Sequence, residues 1–564
     1  MLFSDSHILS TILFTPLLGA ILMMFIPREN ANAHRWMGNI FGFLGLLVSL
    51  PLIWRFHAAG GANGQQFQFL ESHIWIPAIG VTYTLGIDGL SFLMVMLTTL
   101  LGAISILSSW SAIKKREKEY YSLFLLLQTG MLGVFMSLDF VLFYVFWEVM
   151  LVPMYFLIGV WGSERRLYAA IKFFLFTLAG SVLMLLAILA IYHSRQTFDM
   201  REIIRLPFFT SQYGSLTKWL FWGFFFAFAI KVPMFPFHTW LPDAHTEAPT
   251  AGSVILAGVL LKMGTYGFLR FSLPMFPDAT VKYRGFIIVL SLIGIVYGAL
   301  VCMMQKDMKK LIAYSSVSHL GFCTLGIFAL TPLALQGSII QQINHGISTG
   351  ALFLIVGVLY ERRHTRLISE FGGLSTPMPN YAAIYMIITL SSLGMPLLNG
   401  FIGEFTILRG VFDVPHYGWH WAAWGILGII LGAAYLLWLY QRVMFGSITN
   451  PANEHLPDLN AREYATLVPL VLLAFWIGLY PKPLFRVLDV PVKQLVERVN
   501  PDYYPAASPV PLPVAVPLPP AAPPARIIHK PAATPTAPST PPPAVHKPAA
   551  APAAPSTPPP AEVK

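Results

Sequence analysis

Five ionisable residues of this 564-residue chain stand inside stretches that are otherwise apolar. Glu148 lies within 140–159, Lys172 near the start of the run 168–192, and Lys231 within 221–237. Lys262 lies within 251–268 and Glu404 within 393–408. Three histidines join them: His238 just after Lys231-Val-Pro-Met-Phe-Pro236, His319 after Ser315-Ser-Val-Ser318, and His345 after Gln341-Gln-Ile-Asn344. A charge at the centre of a bilayer costs about 2.5–3.5 kcal/mol on insertion scales, so such residues face an interior path or a partner.

Burial lowers the pKa of a lysine and raises that of a glutamate, and an opposite charge nearby reverses both effects. A lysine that gains and loses a glutamate partner therefore takes up and releases a proton near neutral pH. Moving one charge against 100 mV takes about 2.3 kcal/mol, and one pKa unit is about 1.36 kcal/mol. A swing of roughly two units per 100 mV is within reach of buried groups. Histidines, serines and water between the lysines supply a relay. A single buried Glu–Lys pair can be structural glue, but eight such groups on separate helices point to a proton-conducting axis. Lys172 is the weakest member, because it can snorkel to Arg165 and Arg166.

The elements that position these groups must be membrane helices. The composition is 56% hydrophobic and only 11% charged, against roughly 25% charged in an average soluble domain, which excludes a soluble enzyme. Cys302 and Cys323 are the two cysteines, too few for a disulfide framework or for the four thiolates of a usual iron–sulfur cluster. The net charge of +10 sits in small clusters between apolar runs, which argues against nucleic acid as a partner. There is no P-loop, no HExxH and no dinucleotide fingerprint. His319 and His345 on consecutive helices are a formal haem pair, but their flanking side chains give no sign of room for one. No metal or cofactor site is expected in this chain. The first residues lack a basic n-region and no A-x-A site follows, so the first run reads as a retained helix.

Apolar runs, about 20 residues being needed to span a bilayer, fall at roughly 8–27, 37–55, 85–108, 120–137, 139–161, 168–192, 218–240, 246–272, 285–304, 310–330, 333–360, 380–407, 418–441 and 464–481. The chain thus reads as an all-α polytopic membrane protein of about fourteen transmembrane helices. Alternate connections carry sixteen and nine Lys/Arg residues, so by the positive-inside rule both termini lie outside. Residues 65–90 alternate apolar and polar around Gly and Pro, the pattern of a small outside β-hairpin.

Runs four to eight and nine to thirteen form two blocks of five helices, and each block has one broken helix. Helix 7 breaks at Lys231-Val-Pro233-Met-Phe-Pro236 and helix 12 at Leu393-Gly394-Met-Pro396 and Gly400. Paired interrupted segments mark transporters built of repeats, and an odd helix count per unit inverts one unit relative to the other. The expected organisation is 1–118 for helices 1–3 with the hairpin, 119–273 and 284–446 for the repeats, and 460–485 for helix 14. Of the 45 prolines, 22 lie in 501–564, and the segment 500–564 reads as a disordered, polyproline-like Pro/Ala tail with a 17-residue repeat. The pair Gly428 and Gly432 forms a GxxxG that reads as helix packing.

The stretch 230–250, Ile-Lys-Val-Pro-Met-Phe-Pro-Phe-His-Thr-Trp-Leu-Pro-Asp-Ala-His-Thr-Glu-Ala-Pro-Thr, with Gly258-Val-Leu-Leu-Lys-Met-Gly-Thr-Tyr-Gly267, resembles the signature of the antiporter-like subunits of respiratory complex I and of Mrp-type cation/proton antiporters. Further matches are Tyr83-Thr-Leu-Gly-Ile-Asp-Gly-Leu-Ser91, Phe146-Trp-Glu-Val-Met-Leu-Val-Pro-Met154, Lys310-Leu-Ile-Ala-Tyr-Ser-Ser-Val-Ser-His319 and Asn399-Gly-Phe-Ile-Gly-Glu-Phe405. The resemblance spans about 1–485. Glu404 sets this chain apart within the family, since chains L and N of complex I and the Mrp subunits usually place Lys or Asp there, and the resemblance is to another proton-pumping chain of complex I. Chain L also carries a long lateral C-terminal helix, for which residues 482–564 here are too proline-rich.

The resemblance implies fourteen helices with two inverted five-helix repeats. It implies that Glu148 is a switch carboxylate paired with Lys231, that Lys262 is the connecting lysine, and that Glu404 is the terminal group opening to the outside. His238, His319 and His345 match histidines of the central hydrated axis. It further implies proton translocation coupled to NADH oxidation and quinone reduction elsewhere, with FMN, iron–sulfur clusters and quinone in partner subunits, chains L and N flanking this one, and lipid around it. The location implied is a bacterial inner membrane, with both termini on the periplasmic side. The competing readings are a subunit of a Mrp-type antiporter or membrane-bound hydrogenase, and a structural scaffold.

Overall fold

A computed structural model describes residues 7–58 and 66–504; the expected tail, apart from 500–504, lies outside the described residues. The chain is an all-α polytopic membrane protein. Its helices are α1 Ile8–Met24, α2 Ala31–Arg55, α3 Gly89–Ala112, α4 Glu117–Met136, α5 Phe140–Trp161 and α6 Arg166–Arg195. They continue as α7 in two halves (Ser215–Lys231, Trp240–Glu247), α8 Thr250–Met275, α9 Pro277–Met303, α10 Met308–Phe328 and α11 Pro332–Arg363. Then follow α12 in two halves (Pro379–Ser392, Asn399–Phe412), α13 Gly418–Met444, α14 Ala461–Leu479 and α15 Lys482–Val499. Each of the fourteen apolar runs coincides with one of α1–α14. Among the described residues, ten helices are long and apolar enough to cross a membrane.

Strands β1 Gln68–Ile76 and β2 Val81–Ile87 pair antiparallel, as the alternation predicts. Glu71, buried on β1, accepts the Leu9 amide at 2.8 Å and so caps the start of α1. At the hairpin end of the molecule Leu138 N donates to Thr84 O, Phe208 N to Met275 O and Asn500 Nδ2 to Leu330 O. The opposite end gathers the basic clusters. There Arg35 pairs with Glu117, Arg362 with Glu463 and Arg366 with Asp307.

Burial sorts the helices into a centre and a rim. The apolar windows of α8, α10 and α11 are 100%, 94% and 94% buried, whereas those of α6 and α13 are 39% buried. A helix apolar all round belongs in an interior, and these three central helices carry Lys262, His319 and His345.

The internal repeat is visible in the backbone. Phe140 N donates to Phe198 O and Met200 N to Leu138 O; Met308 N donates to Arg366 O and Ile368 N to Lys306 O. The second set follows the first by the same 168 residues (138 to 306, 140 to 308). Each set sits on an N-capping aspartate: Asp139 accepts the amides of Val141 and Leu142, and Asp307 those of Lys309 and Lys310. The first set lies at the hairpin end and the second at the basic end, as two inverted units require.

The expectation for 482–564 needs a correction, because 482–499 is helical. Pro483 sits in the first turn of α15, where its missing N–H costs nothing. Leu484, Leu488, Val492, Leu495 and Val499 bury one stripe of it. Helix 14 itself ends at Leu479.

Candidate functional site: a buried line of titratable groups

Prolines and glycines place the site. At the α7 break, Pro233 and Pro236 supply no amide donor, and the chain leaves the helix right after Lys231. At the α12 break, Gly394 has φ +82°, a left-handed conformation natural to glycine. A Cβ there would stand 3.0 Å from Glu404 Oε2. Helix α8 widens to π-type turns at Leu256–Leu260 and Phe268–Ser272, with Lys262 between them. Such turns recur at functional sites, and here the wider turn lets Lys262 Nζ donate to Ala257 O.

From Lys262 the groups run in a line across the core. Lys262 Nζ lies 2.6 Å from His345 Nδ1. The His345 and His319 rings are 5.8 Å apart, centroid to centroid, at 64°. His319 Nδ1 lies 2.9 Å from Glu404 Oε1, and Gln341 Nε2 donates to the same oxygen at 2.9 Å. Lys262 is 0% and Glu404 2% exposed, so no bulk water screens either charge. A charged Lys262 offers only donors, so His345 Nδ1 accepts; an ionised Glu404 offers only acceptors, so His319 Nδ1 donates. Each histidine's Nε2 is buried with no protein partner among the described residues.

The other expected members stand apart. Lys231 is buried, with Nζ 3.4 Å from Met150 Sδ and over the rings of Trp147 and Phe173 at 5.3 and 5.8 Å. The expected Glu148–Lys231 pair is not a contact pair: no ion pair within 4.0 Å joins them among the described residues, although the Glu148 charge acts on Lys231. Glu148 is half-buried beside Tyr144, and its Oε1 has no partner among the described residues. Met150 and Trp147 are instead the groups that Lys231 Nζ meets. His238 is not in the line either; it packs in the α7 break against Phe235 and Tyr297. Lys172 does not snorkel to the basic loop but bonds Asp243 at 2.7 Å.

Sequence reasoning missed several neighbours. His245 is fully buried on Phe353, both ring nitrogens unpartnered among the described residues, within electrostatic reach of Lys262 and Lys309. Lys309 is buried and donates to Ala248 O. Together with Glu247 and Arg366 it lines a recess of about 370 Å³ at the basic end. Gln341 and Asn344 orient Glu404 and the α12 break. No spacing in the sequence singles these residues out. Among the described residues, no three His, Cys, Asp or Glu side chains gather as metal ligands.

Inverted repeats, two broken helices and a buried lysine–histidine–glutamate line define a class, the antiporter-like membrane subunits. A family profile described as NADH:quinone oxidoreductase/Mrp antiporter, TM, matches residues 137–432, and one for the amino terminus of NADH-ubiquinone oxidoreductase chain 4 matches 66–138. The chain belongs to the NADH:quinone oxidoreductase/Mrp antiporter family. It is 45% identical over 509 residues to NADH-quinone oxidoreductase subunit M of Rhodobacter capsulatus, covering 88% of this chain and 98% of that one. It is 45% identical over 491 residues to chain 4 of Arabidopsis thaliana, covering 87% and 97%. Among solved structures it resembles a chain of respiratory complex I from Thermus thermophilus (TM-score 0.78, 31% identity, 87% of this chain and 99% of that one). It also resembles a chain of the Mrp complex from Dietzia sp. (TM-score 0.74, 25% identity, 87% and 52%).

Proposed function

We propose that this chain is a proton-translocating membrane subunit of NADH:quinone oxidoreductase and works without a redox centre of its own. The carrying observation is the contact line Lys262–His345, His319–Glu404. A proton passed from Lys262 to His345 Nδ1 lets His345 release its Nε2 proton into the gap between the rings. His319 takes that proton at Nε2 and gives its Nδ1 proton to Glu404. Each transfer exchanges the tautomers of both rings, so a reset is built into every cycle. Recharging of Lys262 comes from the basic end, where Glu247 and Lys309 line the recess and Lys309 lies within electrostatic reach of His245.

Glu148 and Lys231 serve as the first-repeat switch, acting on one another through their charges rather than by a fixed salt bridge. The family's subunit M relatives are matched over 97–99% of their length, which favours a complex I subunit over a Mrp antiporter chain, matched over 52%. NADH, FMN, iron–sulfur clusters and quinone belong to partner subunits, with chains L and N on either side. The membrane is a bacterial inner membrane, the basic end faces the cytoplasm and the hairpin end the periplasm. The test is Glu404→Gln in assembled complex. The side chain keeps its size and an acceptor for His319, yet proton translocation driven by NADH falls at least ten-fold. Unchanged translocation in that variant would refute the reading.

A further inference from the structure

Lys231 differs from the other buried lysines in what its ammonium meets. Lys262 Nζ donates to Ala257 O and contacts His345, and Lys309 Nζ donates to Ala248 O. Lys231 is 1% exposed, yet among the described residues the one hydrogen-bond partner of its Nζ is a thioether, Met150 Sδ. A buried cation without an oxygen partner is costly unless something else offsets its charge. Here two rings face it. The Trp147 and Phe173 centroids lie 5.3 and 5.8 Å from Nζ, inside the roughly 6 Å over which a ring face attracts a cation. The sulfur adds a soft, weak acceptor.

The walls of this enclosure are themselves held. Trp147 packs on Phe143 and Phe228 at 5.6 and 5.8 Å between centroids, and Phe173 on Trp240 at 5.4 Å. Trp240 Nε1 donates to Ile230 O, the carbonyl just before Lys231. Helix α5 is interrupted at Met150, where Pro153 offers no amide to the Val149 carbonyl. The repeat supplies a second argument. Its step of 168 residues also relates the left-handed residues that end α6 and α11, Gln196 (φ 55°) and His364 (φ 52°). The same step takes Trp147 to Ser315, Met150 to Ser318 and Phe173 to Gln341. Gln341 touches the titratable group of broken helix α12, Glu404, and Phe173 touches that of broken helix α7, Lys231. One position thus serves each broken helix, with an N–H donor facing the carboxylate and a ring face the ammonium.

We infer that Trp147, Phe173 and Met150 form an ammonium cage, a second resting place for the Lys231 charge when Glu148 does not hold it. The three are positioning residues: they act on the proton carrier and take no proton themselves. The inference rests on the reading of Lys231 as the first-repeat switch. Tryptophans bearing one, two or three ring fluorines, placed at position 147 by nonsense suppression in the assembled complex, keep the ring's shape and weaken its attraction for a cation. NADH-driven proton translocation falls stepwise along that series, by about three- to ten-fold at three fluorines, a graded loss that a packing role does not produce. Trp147→Phe, which keeps a ring face, retains more of the rate than Trp147→Leu. In density maps of complex carrying Glu148→Gln, Lys231 Nζ stays over the Trp147 ring. A flat fluorine series, or a Lys231 side chain that leaves the rings in the Glu148→Gln complex, overturns the cage. If Lys231→Met stops translocation while the fluorine series is flat, only the cage falls. If Lys231→Met pumps normally, the underlying reading falls with it.

Discussion

Removing Asp88 exposes how the hairpin end holds the lysine helix in place. Asp88 and Arg270 form a two-pronged ion pair, Nη1–Oδ2 2.7 Å and Nη2–Oδ1 2.5 Å, with side chains 2% and 4% exposed. Arg270 also donates to Tyr266 Oη and Ser91 Oγ, each at 3.1 Å, and Asp88 Oδ1 accepts the Ser91 amide at 3.1 Å as the N-cap of α3. Asp88→Ala leaves a buried guanidinium without its counter-charge, which costs about 3–5 kcal/mol, and removes a helix cap worth about 1 kcal/mol. The expected loss is therefore about 4–6 kcal/mol. Replacing both charges with apolar side chains of similar volume, Asp88→Leu with Arg270→Met, removes the orphaned charge and recovers at least half of that loss. Detergent-induced unfolding of the purified chain in mixed micelles reads both quantities. A loss below about 1 kcal/mol in Asp88→Ala, or a double variant less stable than the single one, refutes the reasoning. Lys262, Tyr266 and Arg270 share one stripe of α8 at i, i+4 and i+8, so loosening this clamp also lowers proton translocation.

Three further outcomes follow from the same geometry. Gly403→Ala drives a Cβ to 2.2 Å from Gln341 Oε1 and costs about 1–3 kcal/mol of stability by overpacking; its translocation rate drops because Gln341 leaves Glu404. Asp139→Ala and Asp307→Ala, equivalent caps of the two repeats, each cost about 0.5–2 kcal/mol for the cap alone, and each also releases a second partner, Thr82 for Asp139 and Arg366 for Asp307; unfolding midpoints decide this. Lys172→Met leaves Asp243 without its partner and lowers stability more than Lys172→Met combined with Asp243→Leu, measured in the same assay.

The chemistry was legible because charge inside an apolar run is costly wherever it occurs, so Lys262, His345, His319 and Glu404 announced themselves. Both helix breaks could be read from Pro233, Pro236, Gly394 and Pro396, and the hairpin from its alternation. Partner choice could not be read. Lys172 meets Asp243 and Asp88 meets Arg270 across 71 and 182 residues, and nothing in the spacing selects those pairs. Proximity of Glu148 and Lys231 in the fold did not become contact; the Lys231 ammonium meets Met150 and the Trp147 ring instead. Helix α15 was hidden by its prolines, one of which sits in the tolerant first turn, and its buried stripe was too sparse to register as an apolar run. His245 gave no warning because its burial depends on Phe353 of a distant helix.

Lys262 offers the most direct test, since every proposed transfer toward Glu404 begins at its ammonium. In reconstituted vesicles, protons moved per NADH oxidised are counted for complex carrying Lys262→Met, whose side chain keeps the length and loses the charge. A marked fall in that ratio, in complex that still assembles, is the predicted result. A ratio equal to that of the parent complex contradicts the account.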